Sequence, residues 1–279
     1  MRTVRAVVLN LLVHSAGRLS TGINLALTQG MTSGKMLDYV YRNQPSGRLL
    51  IGQLFDKLYL GNVAWQAVRM RKQHLEECLS QALMQKLGGV RPARILDLAS
   101  GHARYLQDTM ARLRDSRVTA LCWDLDERWL REGQAQADSR GLTTMTYEHA
   151  NVLDPETFRR LTVPPDIVIA SGFYDWIPDD EMVRRSMDLV HQSLAEDGVF
   201  IFTFQCGHAD LQTVNSVFPG FDGRPLTMKV RAAEQVNAWA KGQGFSLLET
   251  KVDRWGFYAV STAKRSSGGG HGGPSSPGI

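Results

Sequence analysis

The sequence predicts an α/β fold: a mostly parallel sheet covered by helices on both faces, preceded by an all-helical N-terminal section. Three observations carry that prediction. From Arg94 onward, short apolar runs alternate with amphipathic stretches, the pattern of parallel strands joined by crossover helices. The run Ile95-Leu96-Asp97-Leu98 leads straight into Ala99-Ser100-Gly101-His102-Ala103, which reads as a buried strand ending in a small-residue turn. Residues 1–92 carry helical periodicity and no strand pattern.

Within the N-terminal section, Gly17 and Gly30 punctuate the first part, and Pro45-Ser46-Gly47 separates two helical stretches. The longest periodic segment runs from Asn62 to Leu87. Its residues Val63, Ala67, Met70, His74, Cys78, Ala82 and Leu83 fall near one stripe, while Arg69, Lys72 and Glu76 face elsewhere. Gly88-Gly89 ends it. Strands are expected at 94–98, 118–124, 145–150, 166–171 and 198–204, with helices at 103–114, 127–140, 155–161 and 179–195. A loop from Pro219 to Pro225 precedes a helix from Arg231 to Gly242. Strands at 245–252 and 256–263 close the sheet as an antiparallel hairpin, making seven in all. The expected organisation is thus a helical cap over 1–92, an α/β domain over 93–265, and a Gly/Ser/Pro-rich tail over 266–279 that cannot bury a core.

Composition narrows the functional classes. Hydrophobic content of 43% and charged content of 22% are those of a globular protein. Three widely separated cysteines, Cys78, Cys122 and Cys206, form no disulfide framework and no zinc spacing, so a reducing, cytoplasmic setting and no metal are expected. No apolar run reaches the ~18 residues a membrane span needs. Met1 to Val13 has two arginines ahead of an apolar run, but Asn10 interrupts it and His14-Ser15-Ala16-Gly17 is a poor cleavage site; a packed helix is expected there. Residues 1–93 carry 12 Lys/Arg against 4 Asp/Glu, a net of +8, which leaves −4 for the rest. Such a basic section either attracts an acidic substrate, anionic lipid or nucleic acid, or is simply a solvated helical face.

In open α/β sheets, ligands sit where the strands end. The turn after Leu98 leaves the backbone bare enough for a nucleotide-like ligand to approach. Asp124 ends the next apolar run, Val118 to Trp123, where a carboxylate can accept hydrogen bonds from ribose hydroxyls. Neither a Gly-x-Gly-x-x-Gly run nor a Gly-Lys-Ser/Thr phosphate loop occurs.

The series Asp97-x-Ala99-x-Gly101-x-Ala103, followed by Asp124, resembles motif I and the second-strand acid of class I S-adenosylmethionine (SAM) methyltransferases. Their usual first motif is Asp/Glu-x-Gly-x-Gly-x-Gly. Alanines at two of the glycine positions imply ordinary backbone angles there. Five further blocks resemble one methyltransferase family, often found fused behind an α/β-hydrolase domain in bacterial proteins. They are Leu37 to Pro45, Arg71 to Glu77, Gly101 to Tyr105, Ser171 to Tyr174 and Asp253 to Gly256, within a likeness covering most of residues 20–263. The chain has no Gly-x-Ser-x-Gly elbow, so any hydrolase partner would be encoded separately.

The resemblance implies a Rossmann-like, seven-stranded class I sheet and SAM as cofactor. By motif position, Asp97 holds the cradle near the methionine amine, and Ala99, Ser100 and Gly101 pass close to the ribose and methionine. Asp124 binds the ribose hydroxyls, Leu125 flanks the adenine, Asn151 accepts a bond from the adenine amine, and Val152 packs on the ring. Ser171 and Gly172 lie near the methionine end. His208, Tyr174 and Asp175 follow the fifth and fourth strands on the ligand side and are the candidate bases. His102 is expected to cap or pack rather than catalyse, and Cys206 has no expected role. In the cap, Tyr39, Tyr41, Arg42 and Asn43 form an aromatic-polar group suited to closing over the site and binding substrate, with Arg42 on a carboxylate or phosphate.

The implied function is methyl transfer to an oxygen or nitrogen of a small-molecule acceptor, of natural-product or lipid-related kind. Two alternatives differ in class. One is an RNA or protein methyltransferase, which the basic cap favours but for which no appended RNA-binding motif or Asn-Pro-Pro-Tyr-type sequence is present. The other is a non-catalytic scaffold that keeps the fold.

Overall fold

The structure, a computed structural model, describes residues 16–31, 33–89, 91–207 and 228–266. A short 3₁₀ turn, Ala16–Leu19, leads into α1 (Thr21–Gln29), α2 (Gly34–Arg42), α3 (Leu49–Leu60) and the long α4 (Val63–Leu87). The sheet section then runs β1 (Ala93–Leu98), α5 (Arg104–Leu113), β2 (Val118–Asp124), α6 (Glu127–Ser139), β3 (Met145–His149), α7 (Pro155–Arg159), β4 (Ile167–Ala170), α8 (Asp180–Ser193), β5 (Val199–Gln205), α9 (Ala233–Gly242), β6 (Phe245–Val252) and β7 (Tyr258–Arg265). Seven strands pair in the order β3-β2-β1-β4-β5-β7-β6, with β7 antiparallel to both neighbours and the other pairs parallel. The predicted α/β class, seven strands and closing hairpin are therefore the observed ones.

The central strands β4 and β5 are near-continuous apolar runs because both their faces are covered. Side chains alternate across the sheet. Leu96, Leu98, Val168, Ala170, Phe200 and Phe202 pack on the face shared with α8 and α9. Ile95, Ile167, Ile169 and Ile201 pack on the face covered by α4 and α5. Each such fully buried Val, Leu, Ile or Phe side chain contributes roughly 1.5–3 kcal/mol.

Helix α4 links the cap to the sheet. Asn62 caps its start through Oδ1, which accepts from Ala64 N–H at 2.8 Å. Its second half, Leu75 to Leu83, lies in the core beneath β7, β5 and β1, whereas Ala67 and Val68 belong to the core of the helical section. The buried face is Trp65, Ala67, Val68, Arg71, Leu75, Cys78, Leu79, Ala82 and Leu83. That face is rotated from the stripe expected from sequence: Val63 is exposed and Met70 and His74 are half-buried. Arg71 therefore points inward.

The helices ahead of α4 are pinned by one carboxylate. Asp56 on α3 is fully buried and accepts from Ser20 Oγ at 2.5 Å, Gly22 N–H at 2.7 Å, Ser46 N–H at 2.8 Å and the Tyr39 hydroxyl. Among the described residues, no helix is long and apolar enough to cross a membrane.

Candidate active site

A cavity of about 640 Å³ opens where β1, β2 and β4 end, within the roughly 300–1,000 Å³ of small-ligand pockets. Its floor is the β1–α5 loop. There Ala99, Gly101 and Ala103 hold φ at +50°, +54° and +50°. The expectation of ordinary backbone angles at the two alanines is thus corrected: they adopt the left-handed conformation the usual glycines would take. The alternation turns successive peptide groups of the loop. Ser100 N–H donates to the Trp123 carbonyl at 3.0 Å, and Gly101 N–H donates to Asp124 Oδ2 at 2.8 Å.

Asp124, at the end of β2, lines the cavity and is 7% exposed. Its other oxygen accepts from Asp126 N–H at 2.9 Å. Burial raises its pKa, while the Asp126, Gly101 and Leu125 backbone N–H groups oppose the rise. Two oxygens fixed by backbone donors keep lone pairs available for hydroxyl groups.

Ala99, Ser100, Gly101, Leu125, Asn151, Val152, Ser171 and Gly172 all line the same cavity. Asn151 also accepts from Leu153 N–H at 3.1 Å. Gly172 sits at φ +70°, its N–H bonded to Thr203 Oγ1 at 2.7 Å, and a Cβ there would come within 3.1 Å of Arg71 Nη1. Only glycine leaves this part of the wall open.

Asp97 is elsewhere. It occupies the α5 face of β1 one residue before the strand ends, is fully buried and does not line the cavity. The Tyr105 hydroxyl donates to its Oδ1 at 2.5 Å, and its Oδ2 has no hydrogen-bond partner among the described residues. Burial pushes its pKa up to about 8; the Tyr105 bond opposes this and the charge of Asp124 adds to it.

The expected bases separate. After Gly172 the chain makes a 3₁₀ turn, Tyr174–Trp176, which sends consecutive side chains in different directions. Tyr174 goes into the core, edge-on to Phe200 with its hydroxyl 3.4 Å from Ser186 Oγ, and is not a cavity residue. Asp175 does line the cavity. Its Oδ1 accepts from Gln205 N–H at 2.6 Å. Burial pushes its pKa up to about 6, against the pull of Arg71, the Gln205 N–H and Arg231. His208 lies outside the described residues. His102 packs against Gly34, where a Cβ would come within 3.2 Å of its ring. Cys206 has its thiol pushed up to about 11 by burial, so it is no nucleophile at neutral pH.

In the cap, only Tyr41 of the four expected substrate residues lines the cavity. Tyr39 is drawn away because its hydroxyl bonds Asp56 and approaches Ser46 Oγ at 3.1 Å. Arg42 faces outward, half-exposed, and pairs with Asp38 at 2.6 Å. Asn43 is the exposed left-handed C-cap of α2. Sequence reasoning missed the residues that do form this wall: Asp38, Trp65, Arg71, Trp129, Trp176 and Tyr258. Asp38 binds Arg104, tying α2 to the start of α5. The missed signal for Arg71 was its place on the true buried face of α4.

Comparison with known proteins agrees with this architecture. An uncharacterized protein from Escherichia coli strain K12, YnbC, is 33% identical over 251 residues, covering 89% of this chain. The chain spans only 43% of that protein's length. A solved structure described as a possible exported protein from Bordetella parapertussis superposes with a TM-score of 0.70 at 19% identity, covering 92% of this chain and 87% of that one. Magnesium protoporphyrin IX methyltransferase (ChlM) from Synechocystis PCC 6803, solved with bound SAH, superposes with a TM-score of 0.58 at 16% identity, covering 85% and 98%. The likeness to ChlM carries the class I methyltransferase fold. A family model described as "Putative methyltransferase" matches residues 3–265, and the chain belongs to that family.

Proposed function

We propose that this protein uses SAM to methylate an oxygen or nitrogen of a small-molecule acceptor, with the first 92 residues serving as the lid. The observation that carries the reading is the cavity at the carboxyl ends of β1, β2 and β4, with a left-handed loop on one side and Asp124 on the other. The residues present fit the cofactor. Asp124 has fixed oxygens for ribose hydroxyls, and Gly172 leaves open a wall that a Cβ would crowd. Ser100, Gly101, Asp124, Leu125, Asn151, Val152, Ser171 and Gly172 would hold it, with Asp97 supporting the loop from behind.

SAM supplies a methyl group on a sulfonium, already an excellent leaving group. The protein's work is therefore mainly positioning and exclusion of water. Trp65, Val68, Trp129 and Trp176 give the acceptor end an aromatic and apolar lining. Asp175, with its pKa pushed up to about 6, is largely ionised at neutral pH and suited to take a proton from an acceptor hydroxyl or amine. A cytoplasmic setting is part of this reading, supported by three free cysteines of which Cys78 and Cys122 are buried.

The test supplies methyl-labelled SAM to the protein with an extract separated into small-molecule, RNA and protein fractions. Label in the small-molecule fraction, lost in Asp124→Ala, supports the proposal. Label in RNA or protein moves the acceptor to a macromolecule. SAM bound without turnover by any fraction points to a scaffold.

A further inference from the structure

Among the described residues two arginines are almost wholly buried, Arg71 at 6% exposure and Arg231 at 3%, and their surroundings differ. Arg231 is saturated. Its Nη1 donates to the Tyr174 carbonyl at 2.7 Å, its Nη2 donates to the Ile177 carbonyl, and its Nε pairs with Asp180 at 2.9 Å. That is how a purely structural guanidinium is held in this fold.

Arg71 is held loosely by comparison. Its Nη2 reaches the Tyr41 hydroxyl at 3.3 Å, and its Nη1 stands 3.7 Å from Asp175 Oδ2. Its Nε has no hydrogen-bond partner among the described residues. The guanidinium lies over the Tyr258 ring, 4.8 Å from the centroid, so one face is already covered. A buried cation is costly unless it is paired and hydrogen-bonded, and this one has donors to spare. The Nη1 and Nη2 end of the guanidinium is the part that stands beside Gly172 in the cavity wall.

We infer that Arg71 is the carboxylate receptor of the cavity, its fork taking the carboxylate of a molecule bound against the Ser171-Gly172 loop. The inference rests on the methyltransferase reading for what that molecule is. A carboxylate fits better than a phosphate. Asp175 stands beside Arg71 in the cavity wall, so a single charge can be balanced by Arg71 while a dianion meets repulsion. The planar fork also matches carboxylate geometry. The carboxylate has two sources: the amino-acid end of the cofactor, or an acidic acceptor.

Calorimetric titration of wild type, Arg71→Met and Arg71→Lys separates them. The probes are S-adenosylhomocysteine, 5′-methylthioadenosine (the same nucleoside without the amino-acid end), and benzoate. For the cofactor source, Arg71→Met weakens S-adenosylhomocysteine about tenfold or more while 5′-methylthioadenosine stays within about twofold, and Arg71→Lys falls between. For the acceptor source, S-adenosylhomocysteine binding is unchanged, but benzoate binding to the S-adenosylhomocysteine-saturated protein is lost in Arg71→Met. Equal weakening of both nucleosides marks a structural role and overturns the inference. So does unchanged S-adenosylhomocysteine binding together with benzoate binding that is absent from wild type or indifferent to Arg71. If wild type binds neither nucleoside, the SAM reading fails. Benzoate titrated into the free protein then decides for Arg71 alone: Arg71-dependent binding supports it and no binding overturns it.

Discussion

Ala99 and Ala103 each hold a left-handed backbone that costs a non-glycine residue roughly 1–2 kcal/mol. Replacing Ala99 with glycine removes that strain, but glycine also gains unfolded-state entropy worth about 0.4–1 kcal/mol. The expected net is a gain of about 0.5–1 kcal/mol for Ala99→Gly in urea unfolding. Ala103 is buried, so its lost methyl brings Ala103→Gly close to neutral. Asp97 gives a pH signature. Because burial pushes its folded pKa up to about 8, the folded state keeps a proton that the unfolded chain has already released above about 4. Stability contributed by Asp97 is full below that pH and is lost as pH rises toward 8. In Asp97→Asn that decline flattens across the same window, which unfolding curves collected at several pH values would reveal. Asp175 acts in the opposite sense on rate. If it is the base, turnover rises as pH passes through about 6, and Asp175→Asn lowers kcat by about 10²–10⁴ with S-adenosylhomocysteine affinity retained. An unchanged rate would remove it from the chemistry. At this scale the grouping of Ala99 to Gly101 and Asp124 around one cavity was legible in the sequence, because a loop between a strand and a helix sets its geometry locally. The backbone angles at the alanines were not, since the fold overrode the intrinsic preference of the residue.

Helix α3 explains why the cap was harder to read. Its sequence, Leu49-Leu50-Ile51-Gly52-Gln53-Leu54-Phe55-Asp56-Lys57-Leu58-Tyr59-Leu60, looks like a core helix. Yet it buries Gly52, Asp56 and Leu60 and exposes Leu50, Ile51, Leu54 and Leu58. Gly52 is buried by close approach: a Cβ there would come within 2.4 Å of the Leu19 carbonyl oxygen. The polar hub at Asp56 is built from residues up to 36 positions away, so no local pattern announces it. It also withdraws Tyr39 from the cavity, while Arg42 and Asn43 lie on the exposed side and at the C-cap of α2, so a dense aromatic-polar block yielded one lining residue rather than four. Asp56→Ala leaves the buried donors of Ser20 and Gly22 without their acceptor, at roughly 1–3 kcal/mol each, and also frees the more exposed Ser46 N–H and the Tyr39 hydroxyl. We expect a loss of about 3 kcal/mol or more in urea unfolding, with hydrogen exchange accelerated first in residues 16–60 and the central strands still protected. Uniform loss of protection would mean the cap and sheet unfold as one unit.

The whole molecule joins two packing systems through α4: the first half of that helix walls the cavity, and the second half covers the sheet. The sheet order and its covering helices were legible because strand and helix periods differ and alternate over a long stretch of chain. The rest of the cavity wall was not, since it gathers Asp38, Trp65, Arg71, Trp129, Trp176 and Tyr258 from five segments. Such a joined cavity should respond as a unit to ligand. Saturation at about 100 times Kd is worth about 2.7 kcal/mol of added stability. The proposed function stands on the cavity between the left-handed loop and Asp124 being a SAM site. Its most direct test is calorimetric titration of wild type and Asp124→Ala with S-adenosylhomocysteine. We expect one site per chain in wild type and a roughly 10–100-fold weaker Kd in the variant, the loss that follows from charge-assisted bonds worth about 1.5–3 kcal/mol. No binding by wild type at millimolar ligand, or equal affinity in the two proteins, would contradict it.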